Sequence, residues 1–190
     1  MKLYCATTNP GKLAEFRLAV RSLELDTVQG LRDIPPCEET GATFEENAVQ
    51  KALYYSLHAP GLLFVDDSGL EVRALSGAPG VLSARFAGEG ATDEANNRLL
   101  LERLHGVEDR SGRFVCVVAL AHAGKLLRTF RGTVEGRIAE APRGANGFGY
   151  DPLFFYPPFD STFGEVSAQR KLEVSHRSKA LRAMVEYLTA

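Results

Sequence analysis

The segment LLFVDDSGLEV, Leu62–Val72, joins an apolar run to two adjacent carboxylates, Asp66 and Asp67, and then to Ser68 and Gly69. Four apolar residues, Leu62 to Val65, directly after the breaker Pro60-Gly61, read as a strand that wants burial. A buried, unpaired carboxylate is costly. Either both acids sit at the strand's wet end as turn residues, or at least one holds a cation. Neighbouring strand residues point to opposite faces, so Asp66 and Asp67 cannot do the same job there. The end of a parallel-type strand is where α/β proteins place ligand chemistry. Carboxylate oxygens suit Mg²⁺, which one or two acids hold while phosphates and waters complete its shell. These residues alone leave the turn and the metal site equally open.

Working outward, KLYCA (Lys2–Ala6) reads as a first strand, and Leu13, Phe16, Ala19, Val20 and Leu23 recur at helical spacing. Between them lies TTNPGK, Thr7–Lys12. A strand, a short loop and a helix aim backbone N–H groups and the helix dipole at an anion, and Lys12 adds a point charge. A Walker A loop is excluded, because Ala6 and Leu13 stand where it requires Gly and Ser or Thr. A plain turn with a surface lysine accounts for the same residues. Further on, Thr43 and Glu46 form a capping box that opens a helix to about His58. Asn47 and Lys51, four apart, share one face of it, and Glu38 and Glu39 precede it in a loop with Gly41.

After Val72 a Gly/Ala/Ser-rich connection leads to a helix capped by Thr92, running to Leu104 with Gly106 as terminator. RFVCVVALA and LLRTFRGTVEGRI, joined at Ala123-Gly124, read as a hairpin, and Ser175 caps a last helix. Helix crossovers mixed with hairpin strands predict an α/β protein with a mixed sheet, in one domain over residues 1–190. In the last third, GANGFGYDP sets Phe148 and Tyr150 in a flexible backbone that suits stacking on a planar base. His176 and Arg177 sit in the first turn of the last helix, against its dipole, a choice that suits a ligand rich in hydrogen-bond acceptors. Lys171 lies just upstream.

Composition narrows the class. Hydrophobic residues make up 45% and charged residues 24%, which fits a globular chain. A net charge of −2 argues against a dedicated nucleic-acid binder. Cys5, Cys37 and Cys116 form no C-x-x-C pair and the four histidines complete no zinc spacing; Cys5 and Cys116, inside apolar strand-like runs, read as core residues in a reducing compartment. MKLYCATTN has no apolar signal core and no stretch reaches transmembrane length, so a cytoplasmic protein without membrane contact is expected.

TTNPGK, EETGATFEENAVQKA, VDDSGLEVRALSGAPGVLSARF, GFGYDPLF and SHRSKAL, in this order from Thr7 to Leu181, resemble the RdgB/Ham1 family. These are the inosine triphosphate pyrophosphatases that remove non-canonical purine nucleotides. The resemblance implies an elongated two-lobed α/β mixed-sheet fold, a homodimer, an active-site cleft between the lobes and Mg²⁺ as cofactor. It implies hydrolysis of ITP, dITP and XTP to the monophosphate and pyrophosphate. Residue by residue, Thr7, Thr8, Asn9, Pro10, Gly11 and Lys12 would wrap the triphosphate, and Lys51 would reach the phosphates. Asp67 would be the catalytic acid-base residue and a metal ligand, with Glu38 as the second metal-site acid and Glu39 as the fallback. Ser68 would face substrate, with Gly69 letting the backbone turn close to it, and Asp66 would be a structural partner. Phe148, Gly149, Tyr150 and Asp151 would hold the base, with Phe148 stacking on it. Lys171, His176 and Arg177 would complete the pocket, the last two near the purine 6-keto edge. One departure is Thr8, where the family carries glycine, so the loop must tolerate a Cβ.

Two rivals predict different behaviour. A haloacid-dehalogenase-type phosphatase would release orthophosphate, but needs D-x-D where Asp66 and Asp67 are adjacent. A nucleotide-binding module without turnover would lose no reaction on Asp67→Asn.

Overall fold

The computed structural model describes residues 2–190; Met1, the first residue of the expected domain, lies outside them. Seven strands form one mixed sheet in the order β2-β1-β3-β4-β5-β6-β7: β1 Lys2–Cys5, β2 Glu24–Thr27, β3 Leu63–Val72, β4 Ser111–His122, β5 Lys125–Ile138, β6 Phe154–Tyr156 and β7 Ser161–Thr162. The helices are α1 Pro10–Ala19, α2 Phe44–Tyr55, α3 Asp93–Arg103, α4 Ala168–Val174 and α5 His176–Thr189. The α/β mixed-sheet expectation matches this architecture. β2 and α4 are short elements that the sequence pattern does not announce.

The described residues divide into two compact units, the first comprising residues 2–67, 116–132 and 176–190, the second residues 68–115 and 133–175. In the first unit, β1 runs parallel to both β2 and β3, with Cys5 opposite Phe64. Phe16 of α1 meets Phe64 edge-on at 5.0 Å, and Leu181 and Met184 of α5 join the same buried cluster. Ala123 and Gly124, both at positive φ, turn β4 into β5 as a two-residue hairpin. In the second unit Leu70, Leu100, Phe114, Phe154 and Phe163 form a separate core.

β3 departs from expectation. It does not stop at Val65 but continues ten residues to Val72, straight through both aspartates, Ser68 and Gly69. The acids are therefore buried strand residues, not turn residues, and Gly69 is not a turn glycine. In the second unit a Cβ on Gly69 would meet Ser83 Oγ at 2.3 Å and the Gly80 carbonyl at 2.7 Å, so its role is close packing. What lets the strand pass through two carboxylates is the set of cations gathered around them.

Candidate active site

In the first unit β1 ends at Cys5, opposite Phe64, so Asp66 and Asp67 lie within β3 just beyond the end of its parallel neighbour β1, next to the loop that enters α1. That loop is built by its own side chains. Thr7 Oγ1 accepts the Asn9 N–H at 3.2 Å, Asn9 Oδ1 accepts the Lys12 N–H at 3.0 Å, and Pro10 occupies the first helical position, followed by Gly11. The Asn9 oxygen is engaged in capping, which leaves the amide nitrogen as the end that suits an anion. Thr8 is not among the residues with positive φ, so the turn does not use the left-handed freedom of the family's glycine. Thr7, Thr8, Asn9 and Pro10 line a pocket of about 540 Å³ together with Arg32.

Asp66 is the hub of a buried charge cluster. Lys12 Nζ donates to its Oδ1 at 2.9 Å, Arg177 Nε to its Oδ2 at 3.1 Å, and Cys116 Sγ lies 3.8 Å away. Arg177 also pairs with Glu15, and its side chain is only 3% exposed. Burial pushes the Asp66 carboxyl up, but Lys12, Arg177 and Lys51 outweigh it and hold the group well below the usual carboxylate range. Asp66 is thus a permanent anion that positions two cations. The 6-keto role expected of Arg177 falls on a guanidinium already oriented by two carboxylates. Glu15, one helical turn after Lys12, is a member that sequence reasoning missed; only its i, i+3 spacing from Lys12 hinted at it.

Asp67 faces a different set, as strand alternation requires. Lys51 Nζ donates to its Oδ1 at 2.8 Å, and Asn47 Nδ2 to its Oδ2 at 3.4 Å. Both come from α2, whose Thr43–Glu46 capping box is present as the sequence predicts. Lys51 also pairs with Glu39 at 3.1 Å. Two carboxylates therefore share one ammonium. Burial raises the Asp67 carboxyl above its ordinary value despite Lys51. Burial pushes the Lys51 ammonium's pKa down, but Asp67 and Glu39 outweigh it and raise the group above its ordinary value, so it stays charged. Asn47 Oδ1 accepts the Gly41 N–H at 2.8 Å and so ties the Glu39-Thr40-Gly41 loop to the Asp67 side of the helix.

Of the two expected acids, the structure brings Glu39, not Glu38, to Lys51 and Asp67. Glu38 instead lines a pocket with Tyr54, Leu57 and Lys125. Alternation along the loop turns adjacent glutamates apart, and the sequence did not fix which one faced inward. Among the described residues no group of three or more His, Cys, Asp or Glu gathers to hold a metal. His176 opens α5 and is 3% exposed.

The second unit holds the aromatic loop. Asp151 Oδ2 accepts from the Phe148 N–H at 3.0 Å and from Lys171 Nζ at 2.6 Å. Lys171 Nζ sits 5.1 Å from the Phe148 ring centroid. Tyr150 donates its hydroxyl to the Ser83 carbonyl at 2.7 Å, and burial raises that hydroxyl above its ordinary range. Gly149 stands at φ +62, and Ser68 is half-buried in β3. Phe148 is half-buried, so part of its ring remains available, whereas Tyr150 and Asp151 are buried and structural in their contacts.

Carboxylates on β3 just beyond the end of parallel β1, beside a loop-to-helix turn and three cationic side chains, define an α/β protein that handles a phosphate-bearing anion. The comparisons narrow this class. The Ham1 family model matches residues 3–187, and the chain belongs to that family. It is 50% identical over 186 residues to the dITP/XTP pyrophosphatase of an Exiguobacterium species, covering 97% of this chain and 95% of that one. It is 47% identical to the dITP/XTP pyrophosphatase of Acidobacterium capsulatum, covering 99% and 98%. Among solved structures, the Staphylococcus aureus Ham1 protein superposes with a TM-score of 0.88 at 39% identity, covering 100% of this chain and 98% of that one.

Proposed function

We propose that the protein hydrolyses the non-canonical purine nucleoside triphosphates ITP, dITP and XTP at the α–β phosphoanhydride, releasing the nucleoside monophosphate and pyrophosphate. The observation that carries this reading is the Lys51 ammonium shared by Asp67 and Glu39, in a chain whose relatives are named dITP/XTP pyrophosphatases. Asp67 is assigned the acid-base role: its raised carboxyl, held by Lys51 and Asn47, is placed to orient a water and take its proton. Lys12, Lys51 and the Thr7–Lys12 loop meet the phosphates, where negative charge builds as the anhydride breaks.

Mg²⁺ fits the donor set. Asp67 and Glu39 already accommodate one cation, the Lys51 ammonium, and two carboxylates plus substrate oxygens are what Mg²⁺ takes. Bound there, it would neutralise charge on the phosphoryl oxygens. Glu39 replaces Glu38 in this assignment because Glu39 shares Lys51 with Asp67.

Phe148 is assigned to stack on the base, with Ser68 facing substrate and Asp151 and Lys171 holding the loop. His176 and Arg177 are assigned to donate to a 6-keto oxygen. A 6-amino purine would leave such donors unpaired, costing about 1–3 kcal/mol per buried group. That rejects ATP. Rejection of GTP requires exclusion of its 2-amino group by shape. The haloacid-dehalogenase reading is disfavoured, since Asp66 is buried under two cations. The family resemblance further supports a single functional domain working as a cytoplasmic homodimer, which sedimentation and fractionation test. Among the described residues no helix is long and apolar enough to cross a membrane.

Initial rates with Mg²⁺ on ITP, dITP, XTP, GTP, ATP and dTTP test the substrate class. ITP and XTP are expected far ahead of the canonical nucleotides; equal rates on ATP and ITP would overturn the assignment.

A further inference from the structure

The aromatic loop in the second unit is made of residues that do not hold a conformation by themselves. Gly144, Gly147 and Gly149 all stand at positive φ, and Phe148 is flanked by two of them. Such a segment loses much conformational entropy on ordering, so something must fix it if the Phe148 ring is to present one face. Part of the answer is internal: Asp151 Oδ2 accepts the Phe148 N–H, and a Cβ on Gly147 would meet that same oxygen at 2.1 Å. The remainder comes from α3, a helix to which neither the sequence motifs nor the proposed chemistry gives a role.

α3 grips Gly149 by both of its peptide groups. Asp93 Oδ2 accepts the Gly149 N–H at 2.6 Å, and Asn97 Nδ2 donates to the Gly149 carbonyl at 3.0 Å. Asp93 and Asn97 are four apart, so they project from one face of the helix as a two-point clamp. The chemistry of each position is directional. Only an acceptor at 93 serves the N–H, and only a donor at 97 serves the carbonyl. Asn97 is 8% exposed, a burial that a short polar side chain tolerates poorly without such a partner. Asp93 lies in the first turn of α3, where a carboxylate also complements the helix dipole, but the dipole does not require its oxygen to reach Gly149. Neither side chain is placed to touch phosphate or base in the assignment above.

We propose that Asp93 and Asn97 are positioning residues for purine recognition: by clamping both peptide groups of Gly149 they set the face that Phe148 presents to the base. This rests on the assignment of Phe148 to the base. A clamp of this kind acts on the base end of the substrate alone. Its loss therefore weakens nucleotides and leaves inhibitors that consist only of phosphates untouched, which a general loss of folded protein does not do.

The test uses the full chain with Mg²⁺, ITP as substrate and inorganic tripolyphosphate as a competitive inhibitor, on Asp93→Ala, Asp93→Asn, Asn97→Asp and Phe148→Ala. Asp93→Ala and Asn97→Asp are expected to raise KM for ITP about tenfold, the effect of one lost hydrogen bond to a constrained group. kcat and the inhibition constant of tripolyphosphate are expected to stay within about twofold of the parent. Asp93→Asn keeps an acceptor oxygen and is expected to recover most of the Asp93→Ala loss. Asp93 is exposed, so its two variants carry the test even where Asn97→Asp fails to fold. If Phe148→Ala raises KM while both Asp93 variants leave it unchanged, the clamp is refuted and the base assignment stands. If KM for ITP and the tripolyphosphate constant rise together, the effect is general and the clamp is refuted. If Phe148→Ala itself leaves KM unchanged, the base assignment falls and the clamp with it.

Discussion

The two units solve the same problem, holding functional groups still, by different means. The first unit uses full charges: Asp66 with Lys12 and Arg177, Arg177 with Glu15, and Lys51 between Asp67 and Glu39. The second unit holds a glycine-rich loop mainly by its peptide groups, through Asp151, Asp93 and Asn97, with the Lys171–Asp151 pair as its buried ion pair. A buried charge cluster is rigid but fragile, because removing one member strands another charge in a dry place. A peptide clamp is weaker per contact and degrades gradually. Clustered ion pairs stand where phosphate and metal chemistry is proposed, and directional bonds to peptide groups stand around the ring proposed to stack on a planar base.

The first unit is most sensitive at Asp67. Asp67→Asn keeps shape but removes the base, and kcat is expected to fall about a thousandfold in a steady-state assay. A loss below tenfold would move the acid-base role to another carboxylate.

Next comes the charge hub. Asp66→Ala leaves Lys12 and Arg177 without their shared partner, and thermal unfolding is expected to show a loss of about 3–5 kcal/mol. The pH dependence has a defined sign. Asp66 is held below its ordinary value of 3.8, so its contribution is complete above that pH and is lost as the pH falls through the folded value. The parent should therefore lose stability on acidification below about pH 4, and Asp66→Ala should lose less over the same range. Equal slopes would contradict the hub.

A third comparison separates the two glutamates. Glu39→Gln is expected to lower kcat about tenfold or more and to raise the Mg²⁺ requirement, while Glu38→Gln stays within about twofold. The reverse order would return the metal-site role to Glu38. The smallest expected effect is a displacement on the pH axis. Asp67 is raised above its ordinary value by burial and is active when deprotonated, so the acid limb of kcat/KM lies above pH 3.8. Lys51 lowers that carboxyl, so Lys51→Met should move the limb to higher pH. A limb that stays put or moves to lower pH would show that Lys51 does not govern Asp67.

Much of this was legible in the sequence, for identifiable reasons. The capping box of α2 is local, so Thr43 and Glu46 announced it. That Asp66 and Asp67 face different surroundings followed from strand alternation, and their distinct partners agree with it. What was not legible depends on contacts distant in sequence. A strand that continues through two aspartates contradicts local rules and becomes reasonable only once Lys12, Lys51 and Arg177 gather around it. Glu15 and the clamp of Asp93 and Asn97 are ordinary helix-surface residues until the fold brings their partners. The choice between Glu38 and Glu39 turned on loop conformation, and the packing role of Gly69 on Ser83, fourteen residues away.

In the proposed reaction water attacks the α-phosphorus and pyrophosphate leaves. Phosphorus NMR of ITP turned over with Mg²⁺ in ¹⁸O-water tests it most directly. IMP carrying one ¹⁸O and unlabelled pyrophosphate are expected as first products. Orthophosphate as the first product, or label in the pyrophosphate, would contradict it.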